Sequence, residues 1–187
     1  MPQPLWHLSL AQFRDQVASD APTPSCGAAA AVTASLGLSL VLMAIRIGAN
    51  PKDKETRELL RHAEQVQARL VAHADADAAA FGEYIAADNE REKYRAARDS
   101  VAVPLATAHT CREAMRIAER ALPEVKAAMQ TDVRAGTLLL RAAMDAVLLN
   151  VESNLPLLDD EAERQSLAAQ QDVLRTDADQ ICGSIAG

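Results

Sequence analysis

From Gly27 to Ile45 the sequence carries no charged residue, and no other feature limits the fold so tightly. The run is long enough to span a bilayer. It is rich in Ala, Ser, Thr and Gly, however, and lacks the flanking aromatic belt of a membrane span. A helix apolar on every side is otherwise one buried among other helices. Its small side chains would let neighbouring helices approach closely, including one from a second subunit. The expectation is a buried bundle helix and no membrane insertion.

The rest of the chain supplies its partners. Helix-favouring residues dominate, strand-type alternation is nearly absent, and the reading is all-α. Aromatic residues are only 3% of the sequence, so Ala and Leu must fill the core. Six helical segments are expected. The first runs from about Ser9 to Ser19, with Leu10, Phe13 and Val17 at helical spacing. The uncharged run spans about Cys26 to Gly48. A third segment from Lys52 to about Ala87 sets Leu59, Val66, Leu70 and Phe81 near one face. "ADNEREKYRAARDS" continues as helix after a bend. "VAVPLATAHTCREAMRIAERAL" follows, with Pro104 near a helix start or at a kink. Another helix starts at "TDVRAG" and closes before Pro156. The last begins at "DDEAERQ" and frays at Gly183. One helical domain over residues 1–187 is expected.

The net charge of −7 argues against a general nucleic-acid binder. Cys26, Cys111 and Cys182 are odd in number and far apart, which fits a reducing cytoplasm. The N-terminal sequence lacks the basic start and apolar core of a signal peptide. None of the four histidines follows a glutamate by three residues, as a ferritin-like di-metal bundle would require. His73 and Asp77 share a helix face, but two ligands are weak evidence against a solvated face. No metal is expected.

Two helix starts draw attention. In "APTPSCGAAAA" the prolines stiffen the approach to a helix whose first N–H groups are unpaired, an arrangement that attracts anions. Ser25 also suits an ordinary N-cap. Cys26 there is either a thiol of lowered pKa or a small hydrophobe. In "QTDVRAG", Thr131 or Asp132 can cap the helix, and an ionised Asp132 could stabilise a cationic substrate. Asn150 and Asn154 are four apart on one face within an apolar stretch. Their amides need partners, either helix-terminal groups or a polar heterocycle.

These pieces, in this order, resemble the cyclodeaminase/cyclohydrolase family. "SLAQFRDQVASDAPTPSCGAAAAVTASLGLSLVLMAI" is similar to its opening helix, Pro-x-Pro-Gly-Gly-Gly turn and small-residue helix. "DADAAAF" resembles the acidic end of its long third helix, and "VPLATAH" its Val-Pro-Leu segment. "TDVRAGTLLLRAAMDAVLLNVESNL" resembles its Ser-Asp-x-Gly-x-Gly helix ending in Asn-Val-x-x-Asn. The resemblance implies an up-and-down bundle of about six helices that dimerises, with a cleft near the helix ends and the subunit interface. It implies a tetrahydrofolate derivative as substrate and no prosthetic group or metal. The implied reaction is hydrolysis of 5,10-methenyltetrahydrofolate to the 10-formyl form, or deaminating closure of 5-formiminotetrahydrofolate. Asp132 takes the position of the family aspartate and is implied as the catalytic carboxylate. Pro24, Ser25, Cys26, Gly27, Arg46, Thr131, Arg134, Gly136, Asn150 and Asn154 are implied as ligand-binding. Ser25 and Cys26 stand where the family has glycines, Arg134 replaces another, and Arg46 replaces an asparagine. These departures allow an alternative: the same bundle with its cleft remodelled for a non-folate anion, or a non-catalytic interaction protein.

Overall fold

The computed structural model describes residues 4–186. They form α1 (Leu10–Val17), α2 (Cys26–Gly48), α3 (Lys54–Ala86), α4 (Glu90–Ala121), α5 (Ala127–Asn154) and α6 (Glu161–Ala186). Short 3-10 turns occupy Leu5–His7 and Leu155–Leu157, and no strand occurs among the described residues. The expected all-α bundle of six helices is observed. Helices α2 to α5 make a square: α2 packs on α3 and α5, α4 closes the far side, and α6 lies against α4 and α5.

Local chemistry sets the helix starts. Ser9 and Gln12 form a capping box on α1. The Asp53 carboxylate accepts from the Thr56 N–H at 2.8 Å, and the Asn89 side chain from the Glu92 N–H at 3.0 Å. The start of α2 is different. Ser25 occupies its N-cap position, yet its side chain makes no capping bond.

The uncharged run is a core helix: 67% of its most apolar stretch is buried inside the molecule. Its crossing with α5 is tight because glycines meet there. A Cβ on Gly136 would stand 2.5 Å from the Gly37 carbonyl oxygen, and one on Gly37 would stand 2.8 Å from that of Gly136. Backbone atoms cannot swing aside as a side chain can, so only glycine permits this approach. Around the crossing Leu38, Val41, Leu140, Met144 and Val147 are closely packed core.

Several boundaries differ from the sequence expectation. From Glu90 onward the polar stretch and the apolar segment after it form one helix, α4, with Pro104 inside it. Helix α5 begins at Ala127 rather than at Thr131 or Asp132. Pro123 lies past the end of α4, and the good helix formers Ala127, Ala128, Met129 and Gln130 carry α5 back towards it. Asp132 therefore sits within the helix, and Lys126 takes the N-cap position. Helix α6 runs through Gly183 to Ala186. No residue of α1 is buried, and Leu10 is 80% exposed. Ahead of α1 the chain is tied to α3: Trp6 Nε1 donates to the Val71 carbonyl at 2.9 Å and the Leu5 N–H to Asp75 at 2.8 Å.

Gly37→Ala and Gly136→Ala should each destabilise the protein by about 1–3 kcal/mol, because a methyl is forced against backbone. Urea unfolding at constant slope checks this; unchanged midpoints would contradict the packing argument.

Candidate active site

Leu59, Val66 and Leu70 define the buried stripe of α3, and extending that register towards the C-terminus lands on Asp77. A carboxylate thus enters the core where an apolar residue belongs, and only 6% of Asp77 remains exposed. Opposite it is the N-terminus of α2. A Cβ on Gly27 would overlap the Asp77 carboxylate, so the small residue there admits the acid. The Ala28 N–H and the Ser25 hydroxyl both bond to it, the latter at 3.4 Å from Oδ2. The helix end that the sequence suggested would attract an anion is served by the protein's own carboxylate.

From α5, Asn150 Nδ2 donates to Asp77 Oδ1 at 3.3 Å. Asn154 Nδ2 donates to Asn150 Oδ1 at 3.1 Å and to the Ser100 carbonyl of α4 at 2.8 Å. The Ser100 hydroxyl is buried without a partner. These groups border a cleft of about 390 Å³, together with Pro22, Cys26, Ala80 and Phe81. The volume suits a small-molecule site, and Pro22 and Phe81 give it an apolar wall beside its polar floor.

The electrostatics favour proton transfer at Asp77. Desolvation pushes its carboxyl above the ordinary carboxylate range, against the bonds from Ala28 and Ser25. A buried carboxylate with a raised pKa is suited to general acid–base work near neutral pH. Desolvation, then the neighbouring Asp77 charge, pushes the Cys26 thiol up, which corrects the suggestion of a lowered pKa there. His73, one turn earlier on α3, turns to Thr110 at 3.2 Å and forms no ligand pair with Asp77.

The structure brings together Ser25, Cys26, Gly27, Asn150 and Asn154; Pro24 is buried in the turn just before them. It does not bring Asp132, Thr131, Arg134, Gly136 or Arg46 to this cleft within the chain. Asp132 lies about five helical turns, or about 27 Å, from Asn150 along α5. Arg134 Nε donates instead to the Ile185 carbonyl at 3.1 Å, holding the end of α6. Gly136 is consumed by the helix crossing, and Arg46 pairs with Glu64 at 2.8 Å on the surface. Asp77, Ser100 and Phe81 were missed as site residues. A charged residue in the core register of α3 was the available signal for the first.

The structure is thus an all-helical bundle with a buried carboxylate and an asparagine pair bordering one cleft. The chain belongs to the formiminotransferase-cyclodeaminase family, whose model matches residues 9–173. Over 167 residues it is 29% identical to the methenyltetrahydrofolate cyclohydrolase of Methylorubrum extorquens, covering 80% of each chain. Its fold matches that of formiminotetrahydrofolate cyclodeaminase from Thermotoga maritima with a TM-score of 0.89, over 97% of this chain and 95% of that one, at 22% identity.

The Asp77 shift carries a stability signature. Its folded pKa lies above its unfolded one, so its contribution is full below the ordinary carboxylate range and is lost as pH rises through the raised value. Asp77→Asn should therefore gain stability relative to the parent protein as pH rises above the ordinary carboxylate range, about pH 4. Tm measured from about pH 4 upward checks this; a difference that does not change with pH would contradict it.

Proposed function

We propose that the protein is a folate one-carbon enzyme, acting on methenyltetrahydrofolate as a cyclohydrolase or on formiminotetrahydrofolate as a cyclodeaminase. The observation that carries this reading is Asp77, a desolvated carboxylate at a helix N-terminus facing a cleft that also presents two amides. Both reactions pass through a tetrahedral carbon between two nitrogens and need a mobile proton. In the hydrolytic direction Asp77 takes a proton from the water that bonds to the methenyl carbon. Asp77 returns that proton to N5 as the bond from the carbon to N5 breaks, the remaining hydroxyl proton passes to solvent, and the carbon stays on N10 as a formyl group. The carboxylate also balances the amidinium-like cation of the substrate. Asn150 and Asn154 fix the carboxylate, and Phe81 offers its ring to the flat heterocycle. Cytoplasmic location is part of the same reading.

The proposal includes a homodimer. Leu36, Met43 and Ile47 of α2 and Leu138, Leu139 and Leu149 of α5 are exposed. At helical spacing they join into one apolar face across the Gly37–Gly136 crossing, larger than scattered surface leucines explain. In a dimer with its two-fold axis perpendicular to α5 near Ala142, the Asp132 end of one subunit meets the Asn150 end of the other. Asp132 then returns as a catalytic candidate, supplied to each cleft by the partner subunit. Thr131 accompanies it at the same helix end.

Mixed with methenyltetrahydrofolate, the purified protein should hasten loss of the methenyl absorbance, and Asp77→Asn should lower kcat roughly 10²–10⁴-fold. No acceleration over buffer with this substrate, and none with the formimino substrate, would remove the folate reading.

Leu36→Glu with Leu138→Glu should yield a folded monomer of low activity, read by sedimentation and turnover. Two inactive variants, Asp77→Asn and Asp132→Asn, should recover about one quarter of parental activity when refolded together, since half the dimers then hold one intact site. No recovery from a confirmed heterodimer would assign Asp132 no part in the partner's cleft.

A further inference from the structure

Proline inside a helix ordinarily costs about 3 kcal/mol, because it lacks the N–H that bonds to the carbonyl four residues before and its ring crowds that oxygen. Pro104 occupies such a position in α4, and the oxygen it leaves open belongs to Ser100. That oxygen is not orphaned. Asn154 Nδ2 reaches it at 2.8 Å from α5. The same amide nitrogen donates to Asn150 Oδ1 at 3.1 Å, and Asn150 Nδ2 donates to Asp77 at 3.3 Å. A break in one helix is thereby connected, through two amides, to the carboxylate on another. Nearby hydroxyls behave otherwise: Thr107 and Thr110 bond back to the carbonyls of Val103 and Ala106 in their own helix.

We infer that Pro104 is a positioning residue: by withholding an N–H from the Ser100 carbonyl, it keeps that oxygen for Asn154 and so orients the Asn150 amide that holds Asp77. The turnover part of its test rests on the folate reading; the relay itself does not. Alanine at this position restores the N–H, draws the Ser100 oxygen back to the helix axis and releases Asn154. Loss of the Asn150 bond to the ionised carboxylate raises the Asp77 pKa further. Cys26 is the other titrating group at the cleft, and its thiol is followed separately.

The test uses the full chain as Pro104→Ala, Asn154→Ala and the double variant. Three quantities are read: the Asp77 carboxyl titration by carbon-13 NMR, kcat with methenyltetrahydrofolate, and Tm. Pro104→Ala should keep or raise Tm, move the Asp77 titration upward and lower kcat roughly tenfold to a hundredfold. The double variant should be no worse than Asn154→Ala alone, because both act through one amide. Additive losses, or an unmoved Asp77 titration in Pro104→Ala, overturn the proposal. Should Pro104→Ala not fold, Asn154→Ala must still move the titration upward; no movement overturns it equally. A parent protein with no folate turnover defeats the folate reading and leaves the titration to judge the relay.

Discussion

The carboxylate of Asp77 against the N-terminus of α2 is the contact on which the rest of the site depends. Two opposed effects meet there. Burial disfavours the charge, while the helix end and its free N–H groups favour it. Desolvation outweighs the helix end, so the carboxyl holds its proton more strongly than an ordinary carboxylate does. The contact exists only because Gly27 has no Cβ. It also explains why Ser25 is an N-cap residue without a capping bond: its hydroxyl faces Asp77 instead.

A second constraint comes from the middle of α2, where it crosses α5. The glycines of α2 and α5 bring two backbones into contact, and the outer faces of both helices remain apolar. Large apolar side chains left facing solvent on both helices are a costly arrangement for an isolated chain. It becomes economical where a second copy covers the leucines. In the proposed dimer, the two-fold axis across α5 would give residues remote within one chain a route to the same cleft.

Much of the fold was legible because its signals are local. The uncharged run maps onto α2 with the expected limits, from Cys26 to Gly48. Asn150 and Asn154 share a cleft with Ser25 and Cys26, a grouping that only the family resemblance had implied. Helix starts were harder to read. Asp132 looked like a cap because an acid followed Thr131, but four helix formers upstream outweighed that signal and extended α5 to Ala127. Asp77 was visible as a charge in the core register of α3, yet its meaning required knowing that α2 begins opposite it. Pro104 was read as a start or a kink, whereas its consequence lies in another helix, at Asn154. Contacts between residues 50 or more apart leave little trace in spacing.

The polarity of the cleft accounts for the choice of a carboxylate over a histidine or a thiol. Cys26 is disfavoured as a thiolate by burial and then by the Asp77 charge, and His73 is held below its usual pKa by burial and by Arg69. Neither can offer a negative charge at neutral pH. A cationic carbon between two nitrogens placed against Asp77 offsets the desolvation that raises its pKa, so such a substrate favours the ionised base it requires. In the proposed hydrolysis that compensation disappears when water adds and the cation is discharged, and burial again disfavours the ionised form. Under that proposal the electrostatic cost of burying Asp77 is offset while the cation is bound and returns once water has added, with the Asn150 amide, itself held by Asn154, keeping the group in place.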